Sequence, residues 1–297
     1  MLRGAKGKVR GLFTALITPF DKDGRVDEAR LAELIQFQIS KGTEGIYPCG
    51  STGLGPMLRL EEREAVAETV VKAAGGKVPV VVQVGSTDTA STVQLAKHAE
   101  RLGADAVASL TPYYYKPGER AVARHFESIA KSIGIPLFAY NIPQFTGNNI
   151  SSASVASMAR DGTIAGIKDS SRDFLQLLDL LNVAPQGFVV MNGIEEYGLF
   201  ALMSGADGLV SGGASALPEL FKTMVTAQRN GDHEAALATQ KKVQRVKGLV
   251  AKGPISAYYE ILRARGLDCG VPRPPMLPLG KNESTQIVEE LKSLRLL

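Results

Sequence analysis

The sequence of 297 residues has no tryptophan, three histidines and two cysteines, and these scarcities remove several kinds of chemistry at the outset. Cys49 and Cys269 lie far apart, with neither a disulfide framework nor metal-ligand spacing between them. A reduced, cytoplasmic setting is the expectation. His98, His125 and His233 all fall in stretches of helical pattern, so a histidine-assisted triad or a metal site has little to build on. A strong charge of one sign is also lacking. The net charge is +4, and the lysines and arginines are interleaved with acids rather than gathered into a stripe, which argues against nucleic acid as a partner. Long apolar runs are missing too. Arg3, Lys6, Lys8 and Arg10 precede an apolar run at 12–17 that Pro19 stops, too short for a secretory leader or a membrane span.

What the chain does have is a repeat. Eight short apolar stretches recur, each followed by a turn rich in Gly, Ser or Thr and then by helical periodicity. They begin at Gly11 (GLFTALITP), Gly45 (GIYPCG), Val78 (VPVVVQVG) and Asp105 (DAVASLTP), then at Ile135 (IPLFAYNIP), Ile164 (IAGIKDSS), Phe188 (FVVMNG) and Gly208 (GLVSGGA). Continuous apolar runs of this length suit strands buried on both faces of a parallel sheet. Between them, Asp27 caps a helical pattern with Leu31, Leu34, Ile35 and Ile39 on one face, and Gly42 ends it. The patterns at 61–74, 89–102 and 121–133 likewise run into Gly75, Gly103 and Gly134. Eight such units predict a closed (β/α)8 barrel. An open doubly wound sheet is the rival, weakened by the lack of a dinucleotide fingerprint after the first strand. Beyond Gly231 the pattern is helical only, at 234–251, 255–265 and 284–297, interrupted by a Pro-rich stretch at 271–278. The expected organisation is a catalytic barrel over 1–231 and a helical appendage over 232–297, whose apolar faces suit an oligomer interface.

Barrel enzymes place their chemistry at the C-terminal ends of strands. One of those positions is Lys168, directly after an apolar run. Desolvation there favours the neutral amine, the form that attacks a ketone. Alone, a lysine at a strand end is more often one that snorkels to water. Tyr140 ends the preceding strand and is placed to pass protons across the same mouth, or to bury its ring with the hydroxyl on a backbone carbonyl. The turn 50–53 (GSTG) has the glycines and successive amides of an anion cradle, and Ser51 adds a hydroxyl able to relay protons with Tyr140. Glycine-rich turns after strands are common, so this motif is weak by itself. Cys49 beside it has no candidate base and reads as a small buried side chain. Thr111-Pro112-Tyr113-Tyr114-Tyr115 is an aromatic cluster that reads first as a packing edge or interface plug.

Together, ITPF (17–20), GSTG (50–53), TPYY (111–114), YNIPQFTG (140–147), GIKDSS (166–171) and GADGLVSG (205–212) resemble the dihydrodipicolinate synthase and N-acetylneuraminate lyase superfamily of pyruvate-dependent aldolases, over the whole chain and in order. The resemblance implies that Lys168 is the Schiff-base lysine and Tyr140 the general acid/base. It implies that Ser51 and Thr52 form the hydroxyl relay and pyruvate-carboxylate site, and that the Val210 backbone contacts pyruvate. Tyr114 is then the tyrosine that reaches into a neighbouring subunit's site in family tetramers. No metal or other cofactor is implied, only a covalent imine on Lys168.

Two departures bear on which member it resembles. Synthases that condense aspartate semialdehyde carry an arginine where this chain has Phe145, and an acid follows their GSTG where this chain has Leu54-Gly55-Pro56. Losing a charge-assisted clamp weakens the hold on a second carboxylate. The chain resembles the archaeal-type 2-keto-3-deoxygluconate aldolases in GSTGLGP (50–56), PYYY (112–115) and PRPPMLPL (272–279), although Ile142 replaces the second tyrosine of their YNYP version. Gly193, Glu195 and Glu196 resemble the lyase pattern in which acids after the seventh strand hold sugar hydroxyls. The same acids could instead simply open a helix there. The expectation is therefore reversible cleavage of a 2-keto-3-deoxy sugar acid to pyruvate and an aldehyde by a homotetramer. The alternative is dihydrodipicolinate synthase itself. From other classes, a non-catalytic ligand sensor and a phosphate-binding barrel using GSTG as its cradle remain to be weighed.

Overall fold

The computed structural model describes residues 5–297; Arg3 of the N-terminal basic run lies outside them, as does the Lys6 side chain. Eight parallel strands form one sheet: β1 (Gly11–Ala15), β2 (Gly45–Tyr47), β3 (Val81–Gln83), β4 (Ala106–Leu110), β5 (Leu137–Asn141), β6 (Gly166–Asp169), β7 (Val189–Asn192) and β8 (Gly208–Ser211). Their order is β2-β1-β8-β7-β6-β5-β4-β3. The sheet ends meet at a parallel bridge between Ile46 and Val80. There the Ile46 amide donates to the Pro79 carbonyl at 3.0 Å and Gln83 to Pro48 at 3.2 Å. The ring thus closes into the expected TIM barrel. β3 and β5 begin later than the apolar stretches suggested, because Pro79 and Pro136 have no N–H to give to a ladder.

Period-two alternation sorts each strand's side chains between two cores. Phe13, Val81, Ala106, Ala108, Leu110, Phe138, Val189 and Met191 fill the barrel interior. Their neighbours Leu12, Val82, Val107, Leu137, Ile167 and Val190 face the helices. Two glycines make room for the large rings of the inner core. A β-carbon on Gly45 would strike the Phe13 ring, and one on Gly166 would strike that of Phe138. Gly166 precedes Lys168 by two, so the lysine continues the inward row one layer nearer the mouth.

Asp27 caps its helix as the sequence suggests, and four further caps of the same kind are seen. Asp27, Asp88, Ser151, Asp173 and Asp232 each accept a hydrogen bond from a backbone amide three residues on. Three helices follow the barrel: His233–Leu249, Pro254–Ala264 and Lys281–Ser293. Val243, Tyr258, Tyr259, Leu262 and Leu291 from these helices join the same apolar cluster as Leu12 and Leu31. The Tyr259 hydroxyl donates to the Thr18 carbonyl at 2.6 Å, and Gln240 Nε2 to that of Glu195 at 2.9 Å. Both contacts lie at strand ends, so these helices wall one side of the barrel mouth. Among the described residues no helix is long and apolar enough to cross a membrane.

Candidate active site

A cavity of about 180 Å³ opens at this mouth, with Lys168, Tyr140, Ser51, Thr52, Gly193 and Val210 in its wall. Larger grooves lie between outer helices and contain no strand-end residue. The cavity gathers most of the residues singled out in the sequence, contributed by β5, β6, β8 and the turns after β2 and β7.

Lys168 is 5% exposed. In register, Tyr140 of β5 lies directly opposite it. The lysine Nζ sits 3.9 Å from the centre of the Tyr140 ring and 4.6 Å from that of Tyr47. Sequence alone does not settle whether such a lysine snorkels; packed over two rings, this one stays inside. Tyr140 Oη lies 3.5 Å from Ser51 Oγ, so the expected hydroxyl pair meets at the outer limit of a hydrogen bond.

Tyr47 is the residue that sequence reading passed over. It is the last residue of β2, and its ring meets Tyr140 edge-on at 6.0 Å. Its buried hydroxyl has no partner among the described residues. Burial, with the neighbouring Tyr140 second, holds this phenol well above the usual range, so it stays protonated. A polar-tipped aromatic closing an apolar strand (GIY) was the available signal.

The 50–53 turn is built under strain. Cys49 and Leu54, which flank it, both take positive φ, 59° and 55°. Thr18 Oγ1 braces it from below by donating to the Gly53 carbonyl at 2.7 Å. Gly55 has no room for a side chain, because a β-carbon would overlap the Cys49 carbonyl. Among the described residues neither the Ser51 nor the Thr52 amide gives its hydrogen to a backbone acceptor, and both residues line the cavity. Cys49 is buried, and burial pushes its thiol up to about 11, so it is no nucleophile at neutral pH.

Glu195 and Glu196 also line the cavity, in a single 3-10 turn after β7. Glu195 is largely engaged: Oε1 accepts from Ser211 Oγ at 2.7 Å and from the Gly213 amide at 2.6 Å. Its Oε2 makes no hydrogen bond but lies 3.2 Å from Lys247 Nζ, an ion pair without hydrogen-bond alignment. Lys247 comes from the helix His233–Leu249, and nothing local in the sequence marks it as a cavity residue. The same holds for Arg172, whose guanidinium lies 3.2 Å from Glu196. Gln144, Phe145 and Tyr258 also line the cavity.

Tyr114 is not brought to this cavity. It is 85% exposed, at φ 80°, stacked edge-on against Tyr115. The histidines are elsewhere as well, in outer helices as expected. Among the described residues no three His, Cys, Asp or Glu side chains converge.

A protein-family model, the Dihydrodipicolinate synthetase family, matches residues 8–294. The 4-hydroxy-tetrahydrodipicolinate synthase of Chlorobium limicola is 35% identical over 291 residues, covering 97% of this chain and 98% of that one. The enzyme of that name from Acidiphilium cryptum is 36% identical over 289 residues, 97% and 99% of the two chains. Among solved structures, YagE resembles it with a TM-score of 0.93 at 28% identity, over 97% and 99% of the chains. YagE is a prophage protein of the dihydrodipicolinic acid synthase family from E. coli K12, solved in complex with pyruvate. A variant of the 2-keto-3-deoxygluconate aldolase of Sulfolobus solfataricus resembles it at 0.90 and 28% identity, over 96% of each chain.

Proposed function

Because the chain belongs to the Dihydrodipicolinate synthetase family of pyruvate-dependent carbon–carbon lyases, we propose that it joins pyruvate reversibly to an aldehyde through an imine on Lys168. One observation carries this reading: a lysine 5% exposed over the Tyr140 ring, in the wall of a cavity lined by Ser51 and Thr52, whose amides serve no backbone acceptor among the described residues. The lysine nitrogen attacks the pyruvate ketone, and the resulting carbinolamine loses water to give the imine. Loss of a methyl proton gives the enamine. Its carbon adds to the aldehyde carbonyl, whose oxygen takes up a proton, and water then releases the product and regenerates the amine. Tyr140, with Ser51 behind it, moves the protons at the substrate oxygen. The pyruvate carboxylate rests on the Ser51 and Thr52 amides, against Val210 and Gly193. The imine is the only cofactor-like group the reaction uses.

The names of the relatives favour aspartate semialdehyde as the aldehyde, the synthase reading, over the sugar-acid cleavage expected from sequence. The sugar-acid reading keeps one specific support: Phe145 brings an apolar ring, 70% exposed, to the rim where a second carboxylate would need a cation. In this proposal Tyr114 completes a second copy's site in a homotetramer, and the setting is cytoplasmic. Neither a ligand sensor nor a phosphate cradle explains a buried lysine facing a tyrosine pair.

Borohydride reduction in the presence of pyruvate tests the core of the reading. The expected result is a mass increase on the Lys168 peptide, and no adduct on folded protein would end it. Aspartate semialdehyde then competes against glyceraldehyde as acceptor, and preferred condensation with glyceraldehyde would restore the sugar-acid reading.

A further inference from the structure

Arg172 stands in the turn between β6 and the helix Phe174–Val183, and it lines the cavity that holds Lys168. Its φ is 64°, in the left-handed region where a residue bearing a β-carbon is strained and glycine is not. Cys49, Leu54, Tyr114 and Arg295 share a positive φ, but the first two are buried and flank the 50–53 turn, and none of the four lines the cavity. Arg172 belongs to the turn in which Asp173 caps the following helix, and its own side chain faces the mouth. Its side chain is 60% exposed, and its ion-pair partner is Glu196, itself partly exposed, at 3.2 Å. Exposed pairs of this kind contribute little to stability. The turn therefore holds at the mouth a guanidinium whose ion pair adds little to stability.

The cavity wall offers two other cations. Lys168 is committed to the imine, and Lys247 lies against the buried Oε2 of Glu195. Phe145, Ile142 and Ile194 elsewhere on the rim have no side-chain donor. Among the described residues lining the cavity, Arg172 is the cation that can exchange its partner for a ligand without unpairing a buried acid.

We propose that Arg172 selects the aldehyde partner, gripping an anionic group at the end remote from the reacting carbonyl and leaving Glu196 to do so. The planar fork of a guanidinium matches a carboxylate or phosphate oxygen pair. The inference deepens the imine reading, on which it rests, by assigning the acceptor to the anionic aldehydes.

The test compares kcat/KM for three acceptors with pyruvate: aspartate semialdehyde, glyceraldehyde 3-phosphate and uncharged glyceraldehyde. Arg172→Gly suits the positive φ and so should fold, while Arg172→Lys keeps the charge without the fork. The expected result is an anionic-to-neutral preference lower by about 10- to 100-fold in Arg172→Gly, chiefly through KM, as for loss of a hydrogen bond to a charged group. Arg172→Lys should recover part of it, and the larger loss identifies carboxylate or phosphate as the group read. An unchanged preference in Arg172→Gly, with the wild-type borohydride adduct present on Lys168, would overturn this inference alone. Absence of the adduct in the wild type would overturn the imine reading and this inference with it.

Discussion

Gly193 passes so close to Lys168 that a β-carbon on it would stand 3.0 Å from Lys168 Cε and collide with Ser170 Oγ. The lysine's path from β6 to the cavity is thus shaped by a glycine on the turn after β7. Ser170 can rotate away from an added methyl, whereas the lysine has two aromatic rings on its other side.

Gly193→Ala is therefore expected to fold but to misplace the amine. A displacement of about 1 Å at a reacting group can cost roughly 10²-fold in rate. The rate of borohydride-trapped adduct formation with pyruvate should fall by that order, while the thermal midpoint shows the fold retained. A variant that traps pyruvate at the wild-type rate would refute the steric role of Gly193.

Tyr140→Phe keeps the ring beneath Lys168 and removes the hydroxyl to which the proposed mechanism gives the proton transfers. Positioned general acid–base groups contribute about 10²- to 10⁴-fold, and kcat should drop within that range. Ser51→Ala should cost less, because in the proposed mechanism its hydroxyl acts only through Tyr140, 3.5 Å away, and its amide is kept. Equal losses in the two variants would show that Ser51 acts directly.

Tyr47→Phe removes a buried hydroxyl that has no partner among the described residues. Burying an unpaired hydroxyl costs about 1–3 kcal/mol, so the variant should unfold at a higher temperature or denaturant concentration than the wild type. A clear loss of stability would mean that the hydroxyl is satisfied in solution.

His125 gives a pH signature away from the site. It is buried, with Nδ1 2.9 Å from Thr89 Oγ1 and Nε2 3.4 Å from Ser109 Oγ. Since Ser109 Oγ donates to the Leu110 carbonyl, the network assigns the imidazole proton to Nε2. Burial lowers its pKa from 6.5 to about 4, against a smaller opposite pull from Asp88. Between those values the unfolded chain binds more protons than the folded one, so stability falls as the pH drops from about 6.5 to about 4. The loss should reach on the order of 3 kcal/mol, and urea midpoints of His125→Gln should lack that part of the pH dependence.

The barrel was legible because its evidence is local. Apolar runs buried on both faces recur eight times, each followed by helical periodicity, and parallel strands need a helical return between them. Lys168, Tyr140 and Ser51 could be singled out because a barrel puts strand ends at one mouth whatever lies between them in the chain, while Thr52, Gly193 and Val210 came from the family resemblance. Sequence could not say that Lys168 stays buried, since that depends on the rings of Tyr140 and Tyr47, which come from two other strands. Nor could it find Lys247 or Arg172. Lys247 reaches Glu195 from a helix that follows the barrel, and Arg172 lines the cavity from a turn with φ 64°. Strand and helix periods report which face a residue occupies, and so determine architecture. Which charges share one cavity depends on the distances at which separate elements pack, and only the tertiary structure decides that.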